Sequence, residues 1–237
     1  MNPSTFSLKI SYDQNPDNPF TEWDCEPPVM YQYDRHITHY GTNSIVSELL
    51  DLITPRQLIL NRKELLDAIE VEEDELENNN GYCTLAENLR AELSKWWDTL
   101  DLIEALARIS KTPHLRYNSR EYSQNDHADV LIILTPSWYK KIGANVRKAN
   151  DVHAKQTLKS TRQLFDAWIW WDVYGYQLIE HKPLFQADGT LSDTTDDDII
   201  DSCWGFYGDD FDTNGLRESI PAEHRHLIDD ACNNISF

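Results

Sequence analysis

This 237-residue chain has few cysteines, glycines and prolines, the residues that are abundant in disulfide-stabilised and low-complexity proteins. The four cysteines, Cys25, Cys83, Cys203 and Cys232, are too far apart for a CxxC pair or a disulfide framework, so we expect buried thiols. Only 8 Gly and 10 Pro occur, which excludes a collagen-like or flexible chain. The 8 Trp, 11 Tyr and 7 Phe instead supply the bulk of a hydrophobic core. The sequence therefore predicts a folded protein that needs no cross-links.

Long apolar runs are also missing. No stretch approaches the roughly 18 apolar residues of a membrane-spanning helix. The first fifteen residues lack the basic and apolar regions of a signal peptide. We expect a cytoplasmic protein that does not contact a membrane.

Basic residues are scarce in relation to acidic ones. The chain has 21 Lys and Arg against 41 Asp and Glu, a formal net charge of -20. Binding to a phosphate backbone without regard to base sequence needs clustered Lys and Arg. Direct binding to nucleic acid is therefore disfavoured, as is binding to an anionic membrane surface.

Recognised catalytic motifs are absent. The sequence has no Gly-rich phosphate loop, no Ser-centred elbow and no dinucleotide-binding fingerprint. The segment around Cys203 resembles the nucleophile segment of papain-like proteases, in which Cys is followed by Trp. Those enzymes need a His and an Asn more than about a hundred residues later, and only 34 residues follow Cys203. We predict no catalytic residue, no cofactor and no enzymatic activity.

Hydrophobic periodicity predicts strands at both ends of the chain. Residues 5–12 alternate with period two, as in a half-buried strand. Residues 130–134 are apolar on both faces, which is typical of a central strand. Residues 173–180 and 199–207 predict an antiparallel hairpin with a long, acidic connection. The predicted fold class is α+β, mainly antiparallel sheet with packed helices.

The helical signals lie mostly between these strands. They predict a short helix over 45–53, a helix over 56–77, one long helix over 85–107 and another over 150–170. Pro221 predicts the start of a last short helix. We interpret the chain as a single α+β domain over 1–237, with a helical insertion at 43–112 that could form a subdomain.

The acids are concentrated in two regions. The first places eight acids in fourteen residues with no base among them: Glu64, Asp67, Glu70, Glu72, Glu73, Asp74, Glu75 and Glu77. As a helix this segment would be about 21 Å long, with one carboxylate per about 2.6 Å. Duplex DNA carries one phosphate per about 1.7 Å, so the two charge densities are of the same order.

The second acidic region is residues 184–237, which hold thirteen acids and two bases. Its candidate binding residues are Asp196, Asp197, Asp198, Asp209, Asp210 and Asp212. Residues 139–162 are basic instead, with seven Lys and Arg against one Asp. Acidic runs are often solvated faces that keep a protein soluble; alternatively, they imitate nucleic acid and occupy the groove of a basic protein.

Two weaker signals remain as minor alternatives. Asp210, Asp212 and Asn214, followed by Gly215, match positions 1, 3, 5 and 6 of a calcium loop, but Pro221 stands where the bidentate Glu belongs. We therefore predict no metal site, with calcium as an alternative. Three tryptophans at 168, 170 and 171 follow the basic segment, so a nucleic-acid contact there also stays a minor alternative.

The C-terminal half resembles a known group of proteins. Val173-Tyr174-Gly175-Tyr176, followed by Asp201-Ser202-Cys203-Trp204-Gly205-Phe206-Tyr207-Gly208, is similar to the strands of uncharacterised acidic proteins encoded by phages, prophages and plasmids. Those proteins carry a VYG(F/Y) strand before a DSCWGFYG strand, and a segment similar to Tyr12-Asp13-Gln14-Asn15-Pro16 with a nearby Trp-Asp, here Trp23-Asp24. The resemblance implies an origin in a mobile element and supplies no reaction.

Charge and resemblance together predict a function. We expect a non-enzymatic mobile-element protein that binds and inhibits a host nucleic-acid-binding defence protein, of the antirestriction or anti-CRISPR type, by charge mimicry. The alternatives are a phage accessory or structural protein without inhibitory role, or the calcium-binding module. The sequence leaves a homodimer open.

Overall fold

The computed structural model describes residues 4–22, 29–33, 36–40, 45–72, 82–119 and 129–235. The predicted α+β class is confirmed, since antiparallel sheets pack with several helices. In chain order the elements are β1 (Thr5–Tyr12), β2 (Val29–Tyr33), β3 (His36–Tyr40), α1 (Ile45–Asp51), α2 (Pro55–Leu60), α3 (Arg62–Asp67), α4 (Tyr82–Leu93), α5 (Leu100–Ser110), β4 (His114–Asn118), β5 (Asp129–Ile133), α6 (Pro136–Lys141), α7 (Val152–Ile169), β6 (Val173–Phe185), β7 (Leu191–Tyr207), α8 (Leu216–Ser219), a 3₁₀ helix (Ala222–Leu227) and α9 (Ile228–Cys232).

The chain divides into two compact units. The first unit comprises residues 1–18 and 163–237, and the second comprises residues 19–162. The predicted helical region at 43–112 lies within the second unit, which also contains a sheet of its own. The single-domain interpretation stays a prediction.

The first unit is built on a three-stranded antiparallel sheet with the order β1-β6-β7. Leu8 and Ile10 of β1 are buried and lie opposite Leu178 and Tyr176 of β6. Their alternation with polar residues puts the apolar side chains on one face, as period two requires. The strand predicted over residues 5–12 is confirmed.

The C-terminal helices complete the core of this unit. Phe211, Leu216 and Ile228 are buried in the same cluster as Tyr174 and Tyr176. The short helix predicted after Pro221 is present, first as the 3₁₀ helix and then as α9. These elements bury the apolar face of the sheet.

The predicted hairpin is present, but the prediction of a long connection between its strands is wrong. Strands β6 and β7 continue to a short turn in which the N–H of Gln186 donates to the carbonyl of Thr190 at 2.8 Å. The acidic run is therefore part of β7. Lys182 lies opposite Asp196 in register, and His181 lies opposite Asp197 and hydrogen-bonds it, and both cross-strand pairs favour the longer ladder. We call residues 180–200 the hairpin arm.

The second unit contains a four-stranded antiparallel sheet with the order β3-β2-β5-β4. Residues 130–134 are fully buried, and β5 pairs with a strand on each side. The predicted central strand is therefore confirmed. Arg116 on β4 extends across the sheet to Asp129 of β5 and also bonds Asp101 and Glu104 of α5, which joins helix to sheet.

The helix predicted over 56–77 is wrong as a single element. Thr54 caps α2 through a reciprocal bond pattern with Gln57, and α2 ends at Asn61, where α3 begins. Helix α3 ends at Asp67, and Glu70 adopts the left-handed conformation at a φ of 55°. A continuous helix cannot pass through such a residue.

The single long helix predicted over 85–107 is also wrong. Helix α4 ends at Leu93, and α5 begins at Leu100 after an extended Thr99. The apolar stripe nevertheless continues across the break, because Leu93 and Leu100 are both buried in one core. The spacing of apolar residues shows which side of a helix is buried, but it does not show that the helix is interrupted between Leu93 and Leu100.

The remaining helix and cysteine predictions have mixed outcomes. The helix predicted over 150–170 is confirmed as α7, and that predicted over 45–53 is confirmed as α1 with a shorter end. The buried-thiol prediction is wrong for Cys203, which is exposed on β7. Cys232 is half-buried, and burial raises the pKa of its thiol. Cys25 and the side chain of Cys83 lie outside the described residues.

Within the ranges that the structure describes, no helix is both long enough and apolar enough to cross a membrane.

Candidate functional site

Four of the eight acids predicted at 64–77 lie within the residues that the structure describes. Glu64 is half-buried and accepts a bond from Arg108 of α5. Asp67, Glu70 and Glu72 are exposed, and within the described part of the chain their carboxylates have no hydrogen bond or ion pair. Four further predicted residues lie outside the described residues: Glu73, Asp74, Glu75 and Glu77. The helical charge spacing expected for residues 64–77 does not apply, because α3 ends at Asp67.

The hairpin arm presents its acids on both faces. Asp196 and Asp198 lie on one face, opposite Lys182 and Glu180 respectively, and Asp197 lies on the other face opposite His181. Their side chains are exposed because the arm extends beyond the C-terminal helices that cover the base of the sheet. Period two of the strand separates them in this way.

Lys182 provides the arm with its one ammonium group. It bonds Asp198 and lies 3.8 Å from Glu180, measured from Nζ to Oε2. The hydrogen bond to Asp198 and its charge raise the pKa of Lys182. Since this pair is exposed, it contributes little to stability.

Asp197 has a more constrained environment. Its Oδ1 accepts a hydrogen bond from the Thr195 hydroxyl at 2.7 Å and lies 2.7 Å from His181 Nδ1. The Thr195 hydroxyl, and then His181, lower the pKa of Asp197. Nε2 of the same imidazole lies 2.7 Å from the Ser7 hydroxyl on β1. Ser7, His181 and Asp197 thus form one hydrogen-bonded chain across three adjacent strands.

No sequence pattern predicts a role for Ser7 or His181. They are 174 residues apart, and only the register of the three strands brings them together. The one local signal is period two, which places Ser7 on the polar face of β1.

The segment that follows β7, residues 208–217, is held by hydrogen bonds and an ion pair among its own residues. Asp210 accepts the N–H of Asp212 at 3.2 Å, and Asp212 pairs with Arg217. Asn214 donates to the carbonyl of Gly208 at 2.7 Å, and its side-chain oxygen accepts the N–H of Leu216 at 3.0 Å. Asp209 is exposed.

Asp210, Asp212 and Asn214, the residues of the calcium alternative, therefore make hydrogen bonds or ion pairs within that segment itself. Across the described ranges, no group of three or more His, Cys, Asp or Glu side chains is arranged to hold a metal ion.

The basic segment at 139–162 makes contacts within the second unit. Arg147 Nη1 pairs with Asp151 at 3.2 Å, and Arg162 lies 4.4 Å from the ring centre of Tyr117. Lys140, Lys155 and other lysines of this segment are exposed. Trp171 is also exposed, and Trp168 and Trp170 are half-buried.

The two strings that carry the resemblance pair with each other at the base of the hairpin. Tyr174 lies opposite Phe206, and Gly175 lies opposite Trp204. The indole of Trp204 covers Gly175 so closely that a Cβ at this position would overlap the ring. These residues therefore have a packing role, and the hairpin arm begins beyond them.

Comparison of the chain with models of known protein families, with curated proteins and with solved structures finds no match in any of the three. The functional interpretation consequently depends on the geometry and exposed charges of the described residues and on the resemblance of the two paired strings.

Proposed function

We propose that this protein binds and inhibits a host nucleic-acid-binding defence protein, of the antirestriction or anti-CRISPR type, in the cytoplasm of the host. The hairpin arm enters the basic groove that normally holds nucleic acid. The exposed acids Asp67, Glu70 and Glu72 of the second unit are further candidate contacts for a basic partner.

The observation that carries this proposal is the charge of the hairpin arm. Residues 180–200 contain six carboxylates and one lysine. All side chains from 193 to 200 are exposed. At about 3.3 Å per residue, Asp196 and Asp198 are roughly 6.6 Å apart on one face. Such a row attracts a basic groove over a distance and speeds encounter.

The tip of the hairpin arm favours a protein partner over a purely solubilising role. Leu184, Phe185 and Leu191 are 42%, 55% and 50% exposed, and Phe185 lies opposite Leu191. A surface that serves only solubility gains nothing from exposing these side chains. Apolar anchors surrounded by charge are typical of binding surfaces.

The resemblance to proteins of phages, prophages and plasmids supports a role against a host. It rests on the hairpin base, to which the arm is directly attached. Mobile elements often encode acidic inhibitors of host defence, and this support is by analogy alone.

The test compares two triple variants with the same change in net charge. Asp193→Asn, Asp196→Asn and Asp198→Asn neutralise the hairpin arm. Glu87→Gln, Glu218→Gln and Glu223→Gln neutralise exposed acids elsewhere and provide the matched control. A partner is first isolated from host lysate at low salt, and the purified pair is then titrated with labelled duplex DNA.

We expect the wild-type protein and the control variant to displace the DNA and the arm variant to fail. Affinity should fall steeply between about 50 and about 500 mM salt, because the contacts are ionic. Simultaneous binding of DNA and this protein would contradict mimicry. Equal displacement by all three proteins would show that the acids of the hairpin arm do not carry the inhibition, and a wild-type protein that fails to displace the DNA would favour the phage accessory role.

A further inference from the structure

The hydrogen-bonded chain from Ser7 to Asp197 has a defined proton arrangement. An ionised carboxylate only accepts, so the His181 Nδ1 atom, 2.7 Å from Asp197, carries the hydrogen. In the neutral ring Nε2 is then an acceptor, and the Ser7 hydroxyl donates to it at 2.7 Å. The imidazole is thereby set to take a proton from Ser7.

The three side chains are held by the sheet itself. His181 lies directly opposite Asp197 on β7 and opposite Thr5 on β1, so Ser7 is its diagonal neighbour. Thr195 fixes the carboxylate by a further hydrogen bond of 2.7 Å. Positions on three paired strands vary less than positions on loops.

The group remains accessible to solvent. The side chain of His181 is 24% exposed, and that of Asp197 is 52% exposed. Ser7 is half-buried. A small molecule can therefore reach the Ser7 hydroxyl from this face.

We propose that Ser7, His181 and Asp197 form a catalytic site that hydrolyses small esters with an apolar acyl group. Ser7 is the nucleophile, His181 is the general base and acid, and Asp197 is a positioning residue for His181. This activity goes beyond the proposed inhibition, although His181 and Asp197 lie on the hairpin arm, and it departs from the expectation of a protein without enzymatic activity.

The neighbouring residues indicate the substrate class. Ser7 lies opposite Ile179, and Ile179 lies opposite Ile199, which is 57% exposed. This row lies beside the row of His181 and Asp197 on the same face, and it offers an apolar surface to an acyl chain. The site therefore favours a short aliphatic acyl group over a charged one.

Two kinds of donor are available for the oxyanion. Lys9 is exposed and lies two residues from Ser7, on the same face of β1. In the described sheet β1 is an edge strand, and alternate N–H groups of an edge strand point away from the ladder. A carbonyl bound beside the Ser7 hydroxyl would meet these donors.

The reaction proceeds in two balanced halves. The Ser7 Oγ atom attacks the ester carbonyl while His181 Nε2 takes its proton; the bond to the leaving oxygen breaks, and the alcohol leaves with that proton. Water then attacks the acyl group on Ser7, again giving its proton to His181. The bond to Oγ breaks, Ser7 regains the proton, and the carboxylic acid is released.

The test uses an alkyl fluorophosphonate and 4-nitrophenyl butyrate with the full-length protein. The serine oxygen displaces fluoride from the fluorophosphonate, and mass spectrometry identifies the modified peptide. Ser11→Ala is the matched control, because Ser11 is also half-buried and lies on the same face of β1. Circular dichroism verifies that each variant is folded.

We expect the adduct on Ser7 and its loss in Ser7→Ala, with Ser11→Ala unchanged. His181→Gln should lower the labelling rate and the hydrolysis rate by about 100-fold or more. Asp197→Asn should lower kcat by about 10-fold or more and leave KM unchanged, which a merely structural change would not do.

Two results would overturn the proposal. One is folded wild-type protein without an adduct on Ser7, a result that needs no variant. The other is labelling of Ser7 at the same rate in His181→Gln. Neither result bears on the proposed inhibition, because that proposal is tested by displacement of DNA from the partner and by variants at Asp193, Asp196 and Asp198, none of which belongs to the site.

Discussion

Gly175 shows how closely the packing of the first unit constrains the choice of a single residue. Its position opposite Trp204 leaves no space for a Cβ, because the indole lies directly over the backbone. We expect Gly175→Ala to lower the free energy of unfolding by about 1–3 kcal/mol, through overlap or displacement of the ring. Urea denaturation of both proteins measures this loss.

The control for Gly175→Ala removes the ring that causes the overlap. In a Trp204→Ala background, the added methyl group at Gly175 meets no indole. The double variant should therefore lose less free energy than the two single variants together, by about 1 kcal/mol or more. If the losses of unfolding free energy in the two single variants simply added up in the double variant, contact with Trp204 would not be the reason that position 175 requires glycine.

At the same scale, the chemistry of Ser7 shows what a sequence alone could not reveal. The polar face of β1 is predictable from alternation, and this placed Ser7 on that face. The partner His181 could not be inferred, because strand register depends on pairings made across the whole chain. Asp196, Asp197 and Asp198 are candidates from the sequence, but their assignment to a connection between the strands is wrong, because they lie in β7.

Among the helices, α2 has the most completely defined start. The Thr54 hydroxyl accepts the N–H of Gln57 at 3.3 Å, and the Gln57 side chain accepts the N–H of Thr54 at 3.0 Å. We expect Thr54→Ala to cost about 1 kcal/mol of unfolding free energy, because the N–H of Gln57 in the first helical turn loses the hydroxyl that accepts its hydrogen bond. Chemical denaturation measures the difference.

Thr54→Ser is the matched variant for this cap. Serine retains the hydroxyl and should keep most of the stability that alanine loses. If the serine and alanine variants were equally destabilised, the loss would come from the methyl group of Thr54 and not from capping.

Helix and strand types were predictable where an apolar stripe or alternation was strong, as in α7 and β5. Boundaries were not, because the stripe of α4 continues into α5 through a six-residue break at 94–99. The left-handed Glu70 likewise has no sequence signal of the kind that glycine would give. The extension of β6 and β7 depended on cross-strand charge pairs that no single strand contains.

On the scale of the whole molecule, a formal charge of -20 implies self-repulsion in the folded state. We expect sodium chloride, raised from about 10 to about 500 mM, to increase the thermal midpoint by a few degrees, since the added ions screen like charges. Differential scanning calorimetry measures this shift.

The arm variant provides the comparison for the salt effect. With Asp193, Asp196 and Asp198 neutralised, the midpoint at low salt should be higher, and the gain from salt should be smaller. A midpoint that falls as salt is added would mean that favourable ion pairs, such as those of Arg116, outweigh the repulsion.

The acids of β7 have one more consequence, for the protein's colloidal behaviour. This seventeen-residue strand is an edge of its described sheet and exposes Leu191, Ile199 and Ile200 between its aspartates. A long edge with such side chains is a template for intermolecular β-stacking, and charge is a common protection against it. At the isoelectric point of about 4.6 the molecule carries no net charge, so the repulsion between copies that protects this edge is lost and acidic storage would favour the stacking of arms into fibrils.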